Sequence, residues 1–129
     1  MQKVIGCGID IEELSRFDKY IDNIDFSFME NFCTERELHS LVGDKRVRYA
    51  LCFSCKEAFF KAFGVSWTNS DISWKDIELL FSGPDFYQYK VNVHAYAKEF
   101  LRKNNAVIGE TFLDYNEELV TFQVVILKI

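Results

Sequence analysis

The spacing of apolar and polar residues changes along the chain, and each change indicates a new structural element. Residues 3–11 alternate with the two-residue period of a β-strand, and residues 44–64 follow the period of an α-helix. Before the long helix, the spacing predicts a helix with apolar positions Leu14, Phe17, Ile21 and Ile24 and a short helix from Thr34. After it, the spacing predicts strands 77–81 and 87–93, a helix from 93 to about 104, and strands 106–115 and 119–129. This order is that of an α+β protein.

The longest predicted element is the helix from Asp44 to Gly64. It contains no proline and no internal glycine, Asp44 suits its N-cap, and Gly64 stands where a helix commonly stops. One face carries small and apolar side chains, which predicts contact with the core: Leu51, Cys55, Ala58, Phe59 and Ala62.

Glu57 and Lys61 lie four residues apart in this helix and are therefore neighbours on its surface. The simplest interpretation is a solvent-exposed ion pair, which contributes about 0.3–0.5 kcal/mol. However, Phe53 and Phe60 flank the pair, and a carboxylate and an ammonium held against apolar walls can also bind a metal ion and a phosphate oxygen. The spacing leaves both interpretations open.

The first strand places Val4, Gly6, Gly8 and Asp10 on one face. Two glycines weaken a strand, and in this position they often mark the close approach of a ligand or of another backbone. Asp10 ends this face, and with Glu13 it also resembles a capping box for the following helix. A helix cap and a ligand contact therefore both remain open for Asp10.

The long helix begins with three cations, Lys45, Arg46 and Arg48, which oppose the positive end of the helix dipole. They are interpreted either as a solvated helix start or as side chains that await phosphate groups.

Composition narrows the class of protein. The 129 residues suggest one domain, residues 1–129, with a substantial core. A net charge of −5 argues against nucleic acid as the main partner. No run approaches the roughly 18 apolar residues of a membrane span, and the N-terminus lacks the apolar core of a signal peptide. Four cysteines then suggest reduced thiols in the cytoplasm, and Cys52 and Cys55, inside the helix, are expected to pack in the core.

Several motifs together resemble the holo-acyl-carrier-protein synthases, the small 4′-phosphopantetheinyl transferases. Their order and spacing extend over essentially the whole chain, and the combination of G-x-D with K-E-A-x-x-K is specific. The matching segments are GCGIDIEELSR at 6–16, FCTEREL at 32–38, FSCKEAFFKAFG at 53–64, DIE at 76–78 and GP at 83–84.

The resemblance implies a 4′-phosphopantetheinyl transferase-like fold, in which an antiparallel sheet packs against a long central helix. It also implies Mg²⁺-dependent transfer of the phosphopantetheine arm of coenzyme A to a serine of an apo acyl-carrier protein. In the family, the residues matching Asp10 and Glu57 bind Mg²⁺, the residue matching Lys61 contacts phosphate, and the residue matching Glu57 helps to deprotonate the serine through water. Asp10, Glu57 and Lys61 are thus the expected catalytic residues.

Further contacts follow from the same resemblance. Gly64, at the start of the loop after the long helix, is expected to join Lys61 in coenzyme binding, and Lys45 and Arg46 are candidates for holding its phosphates. Arg16 matches an arginine that docks the acidic carrier protein, and Lys19 is expected to assist it.

Two positions depart from the family pattern. Cys52 stands where the family usually has arginine, and Tyr115 stands roughly in the place of a histidine. These losses keep a second hypothesis open, a non-catalytic relative that binds a carrier protein or a synthase assembly.

The resemblance also implies a homotrimer with each coenzyme site between neighbouring subunits. Thirteen phenylalanines, together with a glycine face on the first strand, suggest a surface completed by another subunit. We expect the closing strands around Phe112, Phe122 and Val124 to supply much of that contact.

Overall fold

The structure is a computed structural model that describes residues 2–21 and 26–129. Its strands are β1 (Lys3–Glu13), β2 (Ile77–Phe81), β3 (Tyr89–Val93), β4 (Ala106–Tyr115) and β5 (Leu119–Lys128). Its α-helices are α1 (Asp18–Ile21), α2 (Phe26–Phe32), α3 (Glu35–Leu38), α4 (Lys45–Phe63) and α5 (Ala95–Lys103), and 3₁₀ turns span Leu14–Phe17 and Trp74–Asp76.

The predicted α+β order is confirmed, with differences in the first half of the chain. Within the described residues, β1, β5 and β4 form one antiparallel sheet in that order, and β2 and β3 form a separate hairpin. The helix predicted after β1 is a 3₁₀ turn followed by the short α1, and Ile24 lies outside the described residues. Helix α2 was not predicted.

Helix α4 begins and ends as the sequence predicts. The Asp44 carboxylate accepts hydrogen bonds from the backbone N–H groups of Arg46 and Val47, so Asp44 is the N-cap. Gly64 adopts a left-handed conformation with φ of 73° and ends the helix. The predicted core face is confirmed, since all five of its residues are buried: Leu51, Cys55, Ala58, Phe59 and Ala62.

The two glycines of β1 allow the strand to lie directly on α4. A Cβ atom at Gly6 would lie 2.1 Å from the carbonyl oxygen of Ala62, and one at Gly8 would lie 1.8 Å from that of Ala58. The glycine face is therefore filled by the helix backbone of the same chain. Asp10 follows within the strand, so the interpretation of Asp10 as a helix cap is wrong.

The other face of the sheet is exposed and largely apolar. Its exposed side chains are Ile5, Ile9, Ile11, Phe112 and Leu119. Phe122 and Val124 are 0% exposed because their β5 side chains point toward α4 and the core. Their predicted place in a subunit contact is wrong, whereas Phe112 does lie on the surface.

All four cysteines are free thiols, and Cys33, Cys52 and Cys55 are buried. The prediction that Cys52 and Cys55 pack in the core is confirmed. Within residues 2–21 and 26–129, no helix combines the length and the apolar character needed to cross a membrane.

Candidate active site

Asp10 of β1 and Lys61 of α4 meet at the edge of the strand–helix contact. The Lys61 ammonium donates to Asp10 Oδ1 at 3.0 Å and to the carbonyl oxygen of Ile9 at 2.9 Å. The Lys61 side chain remains 52% exposed, whereas the Asp10 side chain is 8% exposed. A solvent-facing cation thus covers a buried carboxylate.

The backbone of Asp10 is fixed from two sides. Its carbonyl oxygen accepts hydrogen bonds from the hydroxyl of Ser54 on α4 at 2.9 Å and from that of Thr121 on β5 at 3.2 Å. The serine of the 53–64 motif therefore has a structural role, because it holds the strand that carries Asp10 against the helix that carries Glu57 and Lys61.

Glu57 lies one helical turn before Lys61 and is half-buried. Burial raises the pKa of Glu57, the Asp10 carboxylate raises it further, and Lys61 and Arg16 oppose the shift. The structure thus brings together the three residues that the sequence predicted as catalytic.

Glu12 is a third carboxylate at this site that sequence reasoning missed. It is 6% exposed, like Asp10, because the two residues lie on the same inward face of β1. Burial raises the pKa of Glu12 to about 8, contact with Asp10 adds to the shift, Arg16 opposes it and Glu57 adds a smaller increase. The signal in the sequence was its position two residues after Asp10 in a strand.

Asp10 Oδ2 is buried and has no hydrogen-bond partner among the described residues. Its neighbour Glu12 is also an acceptor when ionised, so the two carboxylates can share a hydrogen bond only if one of them is protonated. A cation between them would satisfy both. The orphaned oxygen beside a second carboxylate is therefore a feature that a bound cation would satisfy.

In the part of the chain that the structure describes, no three His, Cys, Asp or Glu side chains form a ready-made metal cage. Mg²⁺ does not need one, because it usually keeps several waters and binds through one or two carboxylates plus substrate phosphates. Asp10 and Glu57 fit that mode.

A cavity of about 420 Å³ opens beside this cluster. Glu57, Lys61 and Gly64 line it, together with Phe60 and Trp67. Gly64 therefore lies beside Lys61 at this cavity, and its role in coenzyme binding stays a prediction. Trp67, more than half exposed on this wall, was not predicted.

The cations at the start of α4 have separate surroundings. Arg46 pairs with Asp18 at 2.9 Å and lines a different cavity of about 840 Å³ with Asp44 and Tyr115. The Lys45 ammonium lies 5.6 Å from the Tyr49 ring centroid. Arg48 is buried and donates to two backbone carbonyls, so it is structural. A coenzyme role for Lys45 and Arg46 stays a prediction.

Arg16 and Lys19 line a groove of about 400 Å³ on the surface after β1. The Arg16 guanidinium lies 5.9 Å from the Phe53 ring centroid and pairs with Glu12. The Lys19 ammonium lies 5.2 Å from the Tyr20 ring centroid. Two exposed cations beside aromatic walls fit an acidic partner, and their role in carrier docking stays a prediction.

The two departures from the family pattern have different environments. Cys52 is 2% exposed, and a hydrogen bond with Cys33 raises the pKa of its thiol, with burial adding to the shift. It therefore faces the core. Tyr115 stacks on Tyr87 with ring centroids 5.2 Å apart, and the Tyr87 hydroxyl donates to Asp114.

Comparisons with known proteins identify the superfamily to which the chain belongs. Residues 6–109 match the model of the 4′-phosphopantetheinyl transferase superfamily, and the chain belongs to that superfamily. It is 29% identical over 117 residues to a holo-[acyl-carrier-protein] synthase of Geobacter sp. strain M21, covering 89% of this chain and 90% of that protein.

Solved structures show the same fold. The holo-[acyl-carrier-protein] synthase of Neisseria meningitidis superposes with a TM-score of 0.81 at 21% identity, over 96% of this chain and 98% of that one. The holo-(acyl-carrier-protein) synthase of Bacillus anthracis in complex with coenzyme A (3′,5′-ADP) superposes with a TM-score of 0.71 at 26% identity, over 98% of both chains. The predicted fold, an antiparallel sheet against a long helix, is confirmed.

Proposed function

We propose that this chain, acting as one catalytic domain in the cytoplasm, is a Mg²⁺-dependent holo-acyl-carrier-protein synthase. It transfers the 4′-phosphopantetheine arm of coenzyme A to a serine of an apo acyl-carrier protein. The observation that carries the proposal is the meeting of Lys61 and Glu57 with Asp10, whose buried Oδ2 lacks a partner among the described residues. Family membership and the coenzyme complex of the Bacillus anthracis relative supply the substrate class.

Each residue has a chemical role in the reaction. Asp10 and Glu57 would hold Mg²⁺, with Glu12 beside them, and the bound ion supplies positive charge for the coenzyme diphosphate. Lys61 is exposed enough to turn from Asp10 toward a phosphate oxygen in the adjoining cavity. It then offsets negative charge as the phosphoanhydride bond breaks.

The transfer itself is a displacement at the phosphorus that carries the pantetheine arm. The serine hydroxyl oxygen forms the new bond to this phosphorus, and the bond to the bridging oxygen breaks, so that 3′,5′-ADP leaves. Glu57 takes the serine proton through water. Arg16 and Lys19 hold the acidic carrier protein over the groove that they line, near this site.

Mass spectrometry of the carrier protein tests the proposal. Purified protein, coenzyme A and Mg²⁺ are incubated with a panel of apo carrier proteins, and the mass increase of one phosphopantetheine arm on the target serine is the expected result. If carrier proteins bind but none gains the arm, the chain is a non-catalytic carrier-binding relative. The buried Cys52 and the stacked Tyr115 are the features that would explain that outcome.

We further propose that the chain works as a homotrimer in which one coenzyme site draws on two subunits. The exposed apolar face of the β1–β5–β4 sheet is the surface that such a contact would cover. Arg46 and Lys61 lie about 22 Å apart along α4, at ~1.5 Å per residue, and they line different cavities. An Arg46 and a Lys61 from neighbouring subunits could contact the same coenzyme diphosphate, whereas the two residues of one chain are too far apart to do so easily.

Light scattering coupled to size exclusion measures this assembly. We expect a mass three times the 15.2 kDa of one chain, and a shift to monomer for Ile9→Lys, which places a charge on the apolar face. Leu41→Lys is the matched control, since Leu41 is an exposed leucine in the segment between α3 and α4. A wild-type monomer that transfers the arm would contradict the shared site.

A further inference from the structure

The Arg16–Glu12 ion pair connects the two halves of the proposed site. Glu12 is 6% exposed and lies beside Asp10 on the inner face of β1, whereas the Arg16 side chain is 60% exposed on the following 3₁₀ turn. Arg16 donates from Nη1 to Glu12 Oε1. One end of this pair therefore lies at the carboxylate cluster, and the other end lies in the groove predicted to dock the carrier protein.

The inner end of the ion pair lies in a cluster that contains more carboxylates than cations. Asp10 and Glu12 lie in contact and both feel the charge of Glu57. Lys61 pairs with Asp10 through Oδ1, and Arg16 pairs with Glu12, but Asp10 Oδ2 remains without a partner among the described residues. A divalent cation bound at this oxygen would attract Glu12 and so compete with the Arg16 guanidinium for it.

We propose that Glu12 is a positioning residue that couples cation binding to the freedom of Arg16. This inference rests on the proposed function. A cation at Asp10 and Glu57 draws Glu12 away from Arg16, whose guanidinium is then free to pair with an acidic group of the carrier protein. Conversely, a carrier protein that takes Arg16 releases Glu12 toward the cation. Linkage requires the two effects to be equal, so the cation and the carrier bind cooperatively.

The proposal predicts that removing the guanidinium strengthens cation binding. Mn²⁺ alone serves as the probe, and the free ion is measured by electron paramagnetic resonance. We expect Arg16→Gln to bind Mn²⁺ about five- to tenfold more tightly than wild type, within the usual range of such coupling. Lys19→Gln is the matched control. It removes the same charge from the adjoining helix α1, where the Lys19 ammonium lies against the Tyr20 ring. Its effect on Mn²⁺ affinity is expected to be below about twofold.

A second substitution tests whether Glu12 carries the effect. Glu12→Gln keeps the size of the side chain but cannot bind a cation as a carboxylate, so it should weaken Mn²⁺ binding and abolish the gain from Arg16→Gln in the double variant. Equal effects of Arg16→Gln and Lys19→Gln, or a gain that persists in the double variant, would overturn the coupling. Circular dichroism and thermal unfolding establish that each variant is folded.

The carrier protein gives the reciprocal measurement. Mn²⁺ affinity is determined with and without saturating apo carrier protein, and a several-fold gain is expected in wild type but not in Glu12→Gln. Equal gains in both proteins would sink the proposal. Because the Mn²⁺ titrations use no coenzyme, they do not depend on arm transfer. A protein that shows the coupling without transfer contradicts the proposed function alone, and one that transfers the arm without the coupling contradicts this inference alone.

Discussion

Asp10→Asn and Glu57→Gln should each lower the rate of arm transfer about a hundredfold or more, because each removes a proposed ligand of the Mg²⁺ that would offset negative charge on the reacting phosphate. Both replacements keep the shape of the side chain. Asp10→Asn also loses the acceptor charge for Lys61, whereas its backbone contacts to Ser54 and Thr121 remain. We therefore expect a folded protein that is nearly inactive, measured by the mass of the carrier protein at several times.

The Mg²⁺ dependence of the rate makes this test specific. If the two carboxylates hold the ion, both variants should need more Mg²⁺ than wild type for half-maximal rate. Glu99→Gln is the control, because Glu99 is a carboxylate that pairs with Arg102 on the exposed side of α5, away from the site. A near-normal rate at limiting Mg²⁺ in either variant would remove that residue from the metal site.

The long helix was predictable because its signals are local. Asp44 and Gly64 act through their own backbone neighbours, and the apolar spacing between them needs no other part of the fold. Helix α2 was missed because it spans only seven residues, and its Met29 and Phe32 are buried in the core. Short helices are stabilised by such tertiary packing, which the sequence does not display.

The direction in which each strand faces was less predictable. Alternation separates the two faces of a strand but does not say which one is inside. In β1 the glycine face is inside, because α4 approaches too closely for any side chain at Gly6 or Gly8. In β5 both faces are largely apolar, so Phe122 and Val124 were assigned to the surface although they fill the core.

In the candidate site, too, some residues could be identified from the sequence and others only from the fold. Asp10, Glu57 and Lys61 belong to motifs, so the sequence pointed to them, and the structure brings them together. Glu12 lies inside the matching segment 6–16, but the motif assigned it no role. Its significance depends on the inward face of β1 and on the approach of Glu57 from another element, which only the fold reveals.

Lys56, the first lysine of the K-E-A-x-x-K motif, has a buried role that the sequence did not predict. Its side chain is 0% exposed, and its ammonium donates to Glu37 Oε1 at 2.8 Å, to the carbonyl oxygen of Trp74 at 3.0 Å and to that of Ile77. Glu37 also accepts from the backbone N–H groups of Thr34 and Leu79. The pair therefore ties α3, α4 and β2 together.

Lys56→Met is expected to cost about 3–5 kcal/mol of unfolding free energy, the usual cost of leaving one partner of a buried ion pair alone. Urea denaturation measures it, with the exposed Lys75→Met as control. The double variant Lys56→Met with Glu37→Gln should lose less than the sum of the single changes, since no buried charge is then left unpaired.

The pH dependence of this loss follows from the pKa of Lys56. Burial lowers that pKa most, but the charge of Glu37, its hydrogen bond and the nearby thiols of Cys33 and Cys52 together raise it by more, so that it lies above the usual 10.5. A pKa that is higher in the folded state means that the contribution is fully present below 10.5 and is lost as the pH rises through the folded value. The difference between wild type and Lys56→Met should therefore be constant from about pH 6 to 9 and shrink only in more alkaline solution. A difference that already falls near pH 7 would mean that Lys56 is neutral in the folded protein, and that Glu37 is stabilised by its backbone donors.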